Sequence, residues 1–203
     1  MKMNYLACLI CFALAFAWGG CSTTTVYQYR YESRLDEVFV KQGVDFTGYR
    51  SVIIDDVNVW YPSEHAPSPE NAAKAQANLE QARRLFRQTI SDALSEDYPV
   101  TDKPGKDVLR MNAEFIDLRA LKPGAEIPRE VARLEFETRP GHITMTARLM
   151  DSRSGEVLAR VADLGKEESA GGDGVVDWDA ITHDFDYWGS IFREWMDEVH
   201  GER

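Results

Sequence analysis

Apolar and polar positions alternate in three different ways along this chain. Between Tyr5 and Ala17 they barely alternate: about 13 residues are almost all apolar, behind Met1-Lys2 and ahead of Gly19-Gly20-Cys21. The run is shorter than the roughly 20 residues of a membrane-spanning helix and reads as a secretion signal. Elsewhere the period is two. Val38-Phe39-Val40-Lys41 predicts a short strand, Gly43, Asp45 and Gly48 a turn, and the β-branched stretch Val52 to Val59 a longer central strand. The unbroken Val52-Ile53-Ile54 implies burial on both faces. Residues 97–118 predict two strands around Asp102-Lys103-Pro104-Gly105, the second with Leu109, Met111, Ala113 and Phe115 alternating with Arg110, Asn112 and Glu114. After a loop over 120–131, Leu134 and Phe136 suggest a strand that turns at Arg139-Pro140-Gly141 into Ile143, Met145, Ala147 and Leu149. The break Asp151 to Gly155 closes a hairpin with Val157 to Leu164.

Twice the period approaches 3.6. Ser68 as N-cap, Pro69 at the first helical position and Glu70 in the first turn open a helix with an apolar stripe of Leu79, Ala82, Phe86, Ile90 and Ala93. It is expected to reach about Glu96, with Gln81, Arg84, Arg87 and Asp92 on a solvated face. A second helix carries Trp178, Ile181, Phe185, Trp188, Phe192, Trp195 and Val199 on one seam, so many aromatics that it is expected to lie on the sheet. Gly189 inside it costs about 1 kcal/mol relative to Ala and predicts close packing there. The fold class is therefore α+β: a mostly antiparallel sheet with two long helices packed on one face.

Gly19-Gly20-Cys21 resembles the lipobox of bacterial lipoproteins, with Trp18 where that motif usually has Leu. The resemblance implies cleavage before Cys21 and lipidation of that cysteine, palmitate included. Ser22 after it, instead of Asp, implies sorting to the outer membrane on its periplasmic face. The expected organisation is a signal peptide at 1–20, a lipidated N-terminus and tether at 21–37, and one α+β domain at 38–203. Tyr27, Tyr29 and Tyr31 fit either an edge strand or a stripe lying on the domain. With nothing apolar between them, a packed-down lead-in is expected.

Charge and cysteine content narrow the function. Loss of Lys2 with the signal takes the net charge from −11 to −12, which repels nucleic acid and anionic headgroups. All three cysteines lie within residues 1–21, so the mature chain forms no internal disulfide and is held by its packed core. Asp55-Asp56 invites comparison with a paired carboxylate for acid/base or metal chemistry, although a turn or bulge residue satisfied by backbone N–H groups is the preferred account. Glu64 with His65, His183 with Asp186 or Tyr187, and Asp197 with His200 offer only two-ligand sets, and His142 is expected at the surface. Gly171-Gly172-Asp173-Gly174 with Asp177 and Asp179 lacks the alternating acids of a calcium loop and reads as a linker, Asp177 capping the last helix. No cofactor, nucleophile elbow, phosphate loop or zinc signature is expected.

The spacing Phe39-Val40-Lys41-x-Gly43-Val44-Asp45-x-x-x-Tyr49-x-x-Val52-x-Ile54-Asp55-x-Val57-x-Val59-Trp60, with Met150 to Ala159 and Ala180 to Trp188, resembles the bacterial lipoprotein family of domain of unknown function 3313. That resemblance implies an address and a fold and no reaction. Residues 120–140 depart from it, a short charged loop standing where the family often has an apolar insert. The element order is also similar to the small domain of the Tol-system translocation protein and of curli-secretion lipoproteins, a likeness of topology alone. A lipid-anchored interaction or assembly module with a protein partner in the cell envelope is the leading expectation. A carrier of a small apolar ligand, and a hydrolase or metal-dependent enzyme using Asp55, Asp56 or the His65 loop, are the alternatives.

Overall fold

The structure, a computed structural model, describes residues 25–30, 33–60, 68–94, 97–117, 143–164 and 178–201. The strands are β1 (Tyr27–Tyr29), β2 (Glu37–Lys41), β3 (Ser51–Ile54), β4 (Asn58–Trp60), β5 (Val108–Asp117), β6 (Ile143–Asp151) and β7 (Val157–Leu164). The helices are α1 (Ala72–Leu94) and α2 (Trp178–His200). All seven strands belong to one sheet in the order β1-β2-β7-β6-β5-β3, with β4 following β3 along the same side of β5. Only β3 and β4 run parallel to their neighbour, because α1 carries the chain back before β5 begins; the other pairings are antiparallel. The fold is α+β with a mostly antiparallel sheet, as the periodicity predicts.

Register and pleat place the core. Val52 pairs with Leu109, Ile54 with Met111, Phe115 with Met145, Ala113 with Ala147 and Leu149 with Ala159, so these side chains share one face and all are buried. Phe86 of α1 and Phe185 of α2 meet edge to face at 5.3 Å, and each ring also touches Phe115 of β5, at 5.4 and 5.1 Å. Burying such a side chain contributes roughly 1.5–3 kcal/mol, so this ring cluster is a main source of stability among described residues that include no cysteine. The helices run side by side in the same direction. Phe86 lies by Phe185, Gly189 over Ala93, and Arg193 reaches the Ala93 carbonyl and Asp97. The close packing expected at Gly189 is present: a Cβ there would meet the Ala93 Cβ at 3.2 Å.

Several elements differ from the sequence reading. Tyr27 to Tyr29, expected in a lead-in, form an edge strand; Tyr27 pairs with Lys41, and its hydroxyl donates to the Val157 carbonyl at 3.1 Å. An edge strand wet on one side needs no apolar residue at Gln28. The stretch Val52 to Val59 is neither continuous nor central. It breaks at Asp55-Asp56-Val57 into β3 and β4, which lie at the far side of β5 from the sheet's middle. Val52, Ile53 and Ile54 are nevertheless all buried, and Val52 is bridged on its outer side by Val100. That single bridge replaces the first of the two strands expected in 97–118. At the start of α1 the first helical bond runs from the Ala75 amide to the Asn71 carbonyl, which makes Asn71 the N-cap position. Ser68 instead opens the preceding turn through its bond to Asn71 N–H. The expected strand at Leu134 and Phe136 and the loop over 120–131 lie outside the described residues.

Candidate interaction surface

The break between β3 and β4 exposes backbone carbonyls that no strand satisfies, and α1 supplies their donors. Arg87 donates from Nη1 to the Ile54 carbonyl at 2.7 Å, and Arg83, one turn earlier, from Nε to the Val57 carbonyl at 2.7 Å. Arg87 is thus a structural bridge, with Nη2 on Asp102 at 2.7 Å, and not merely part of a solvated face. The Asp55 amide meanwhile continues the ladder by donating to the Met111 carbonyl at 2.9 Å.

Asp55 and Asp56 part company at this break. Asp56 is exposed, whereas the Asp55 carboxylate turns onto the polar side of β5 and accepts from Arg110 Nε at 2.8 and 3.0 Å and Nη2 at 2.8 Å. Neither a backbone-satisfied bulge residue nor a carboxylate dyad, Asp55 is the fixed half of an ion pair. Its hydrogen bond and charge raise the Arg110 pKa above the ordinary guanidinium value. The pairing continues across the strands. Arg148 on β6 donates to Asn112 Oδ1 at 2.6 Å and lies 3.6 Å from Glu114. Arg148 and Arg160 stand directly opposite on β6 and β7, and the Arg160 guanidinium sits over the Tyr27 ring at 5.3 Å. The outcome is a half-exposed charged ladder that runs from Asp55 across β5, β6 and β7 to the Tyr27 ring, with the cations Arg148 and Arg160 side by side within it.

The other candidate residues are committed elsewhere. Asp197 accepts from Tyr98 Oη at 3.1 Å and from Arg193 Nε at 2.9 and 3.1 Å, while His200 Nδ1–H donates to the Met196 carbonyl at 2.8 Å. His183 and Asp186 are exposed, and the Tyr187 hydroxyl donates to the Arg34 carbonyl at 3.0 Å. Among the described residues no three His, Cys, Asp or Glu side chains gather as a metal site, and no helix is long and apolar enough to cross a membrane. Cys21, Glu64, His65, His142, Gly171 to Gly174 and Asp177 lie outside the described residues.

A buried acid escapes the sequence reading. Asp163 on β7 is fully buried; its Oδ2 accepts from Trp188 Nε1 at 2.7 Å and its Oδ1 from the Asp36 amide at 3.1 Å. It therefore ties the segment before β2 to α2 through the sheet. The signal was present: Ala159, Val161 and Asp163 alternate, which puts an acid on the core side of a strand.

Fold and surface together define a small α+β domain with an ion-paired sheet face. The chain belongs to the protein family of unknown function DUF3313, whose model matches residues 30–192. No curated protein matches it. Similar solved structures include the PelC dodecamer from Paraburkholderia phytofirmans, at 12% identity over 76% of this chain and 96% of that one, with a TM-score of 0.38. A DUF4136 family protein from Bacteroides thetaiotaomicron matches at 9% identity over 84% and 96%, TM-score 0.44. A chain described as a candidate lipoprotein from Caulobacter crescentus matches at 8% over 78% and 91%, TM-score 0.30.

Proposed function

We propose that this protein is an outer-membrane lipoprotein, anchored through acyl chains on Cys21, whose periplasm-facing domain binds a protein partner of the cell envelope. The observation that carries the binding reading is the Asp55–Arg110 pair: the one carboxylate pair that suggested chemistry is split, and its ordered half belongs to a half-exposed charged ladder. Paired charges held on a rigid sheet suit recognition by complementary charge. The anchor reading rests on the apolar run ahead of Gly19-Gly20-Cys21 and on the family resemblance. Contact of both Phe86 and Phe185 with Phe115 supports the two helices packing on one face, so that among the described residues neither helix covers the half-exposed ladder on the other. The same rings occupy the layer where an apolar ligand would sit, which disfavours the carrier alternative.

The test is crosslinking in intact cells, with the wild type beside Cys21→Ala and Arg148→Glu forms. A discrete protein lost in both variants is the expected result. A wild type without any crosslinked partner would sink the binding reading.

A further inference from the structure

The path of β1 shortens the tether, and with it the freedom of the domain on its membrane. The chain is fixed to the sheet from Val26, whose carbonyl accepts the Gln42 amide at 2.9 Å, so only residues 22–25 separate Cys21 from the folded body. However they are arranged, five Cα steps reach at most about 18 Å. The 23 residues of α1 extend roughly 35 Å, about twice that distance. The end of the sheet where β1 begins therefore stays beside the anchor.

That end is a joined platform. The loops over 42–50, 97–107 and 151–156 meet there, bonded to one another through Arg50 N–H on the Asp107 carbonyl at 2.8 Å, Tyr49 Oη on Asp151 at 3.1 Å and Gly105 N–H on Ser152 Oγ at 3.1 Å. Both helices also end there, with Tyr98 bonded to Asp197. Its charge is modest: Lys41, Arg50, Lys103, Lys106, Arg153 and Arg193 stand against Asp45, Asp97, Asp102, Asp107, Asp151, Glu156, Asp197 and Glu198, so most of the chain's negative excess lies elsewhere. Val26, the exposed large hydrophobic residue among those described, sits at the same corner, 53% exposed.

Resting on the reading of Cys21 as the lipidated residue, we propose that these three loops form a membrane-facing platform. They seat the domain on the phospholipid bilayer that holds its acyl chains and point the start of α1 away from it. An end of modest charge approaches an anionic surface with less repulsion than the rest of the chain would meet.

The test uses the full lipidated protein. The mature chain has no cysteine other than Cys21, whose thiol the lipid occupies, so Gly48→Cys and Asn71→Cys each give a single labelling position, both exposed and at opposite ends, and neither alters the charge. With a donor dye there and an acceptor in the headgroups of phosphatidylethanolamine and phosphatidylglycerol vesicles, transfer from position 48 is expected to exceed that from position 71 severalfold. The excess should shrink when a Gly/Ser segment is inserted after Ser22. Equal transfer, or stronger transfer from position 71, with the protein still on the vesicles overturns the platform and leaves the anchor standing. A wild type that fractionates from cells like Cys21→Ala overturns the anchor, and the platform with it.

Discussion

Gly189 of α2 lies so close over Ala93 of α1 that a side chain on the glycine would press its Cβ to within 3.2 Å of the alanine's. Ala in place of a mid-helix Gly ordinarily gains about 1 kcal/mol. Here the contact offsets that gain, and Gly189→Ala is expected to leave the urea midpoint nearly unchanged. In an Ala93→Gly background the same substitution is expected to stabilise by about 1 kcal/mol, because the neighbour it would strike is gone. A Gly189→Ala protein as stabilised in the wild-type background as in the variant would refute the contact.

Asp163 receives the Trp188 indole and the Asp36 amide deep in the domain. Removing it strands buried donors, each costing about 1–3 kcal/mol, so Asp163→Ala is expected to lose roughly 2–4 kcal/mol in chemical denaturation. Asp163→Asn, which keeps an acceptor, should lose less. A neutral Asp163→Ala would mean that the β2 segment is not held through this carboxylate.

Asp55→Ala breaks a pair whose guanidinium side is 41% exposed, and about 1 kcal/mol or less is expected from it. Asp56→Ala should fall within about 0.5 kcal/mol of wild type, as for an ordinary surface position. Equal and large losses at both positions would restore a joint role for the two acids.

Tyr49 gives the protein an alkaline limit. Burial first, then its hydrogen bond to Asp151 and the charges of Asp151 and Glu156, push the phenol up to about 12 from its ordinary 10.0. The folded state holds this proton more tightly than the unfolded chain does. The stability it adds is complete below pH 10 and is lost as the pH rises from 10 towards 12. Urea midpoints across that window should fall more steeply for wild type than for Tyr49→Phe. Asp151 works in the opposite direction at acid pH: bonds from the Ser154 amide and hydroxyl hold it below the ordinary carboxylate range, so its contribution is present above about pH 4 and fades as the pH falls through its folded value.

What could be read from the chain was local. β5 and β6 show because each alternates within itself, and β7 because a turn precedes it, closed by Gly155 at φ 71°, a conformation that glycine adopts freely. The seam of α2 and the tight approach at Gly189 show for the same reason. The position of β3 does not, because its partner β5 lies beyond a whole helix and nothing in Val52 to Val59 says which strand will receive it. The fate of Asp55 was hidden likewise: its residue type suggested chemistry, but its partner Arg110 lies 55 residues away. Tyr27 and Tyr29 alternate as an edge strand should, and the lack of apolar residues around them does not tell against one, because an edge strand does not require them.

The pairing of β2 with β7 joins Val38 to Val161 across most of the described chain. On the export proposed above, β1 and β2 would reach the periplasm long before the strand that receives them. These first segments to arrive would be the last to be docked, because contacts of such high sequence separation fold slowly. Attachment of lipid at Cys21 would precede closure of the sheet, so the domain would complete its folding while already tied to the bilayer, with its N-terminal strands open to whatever escorts lipoproteins across the envelope.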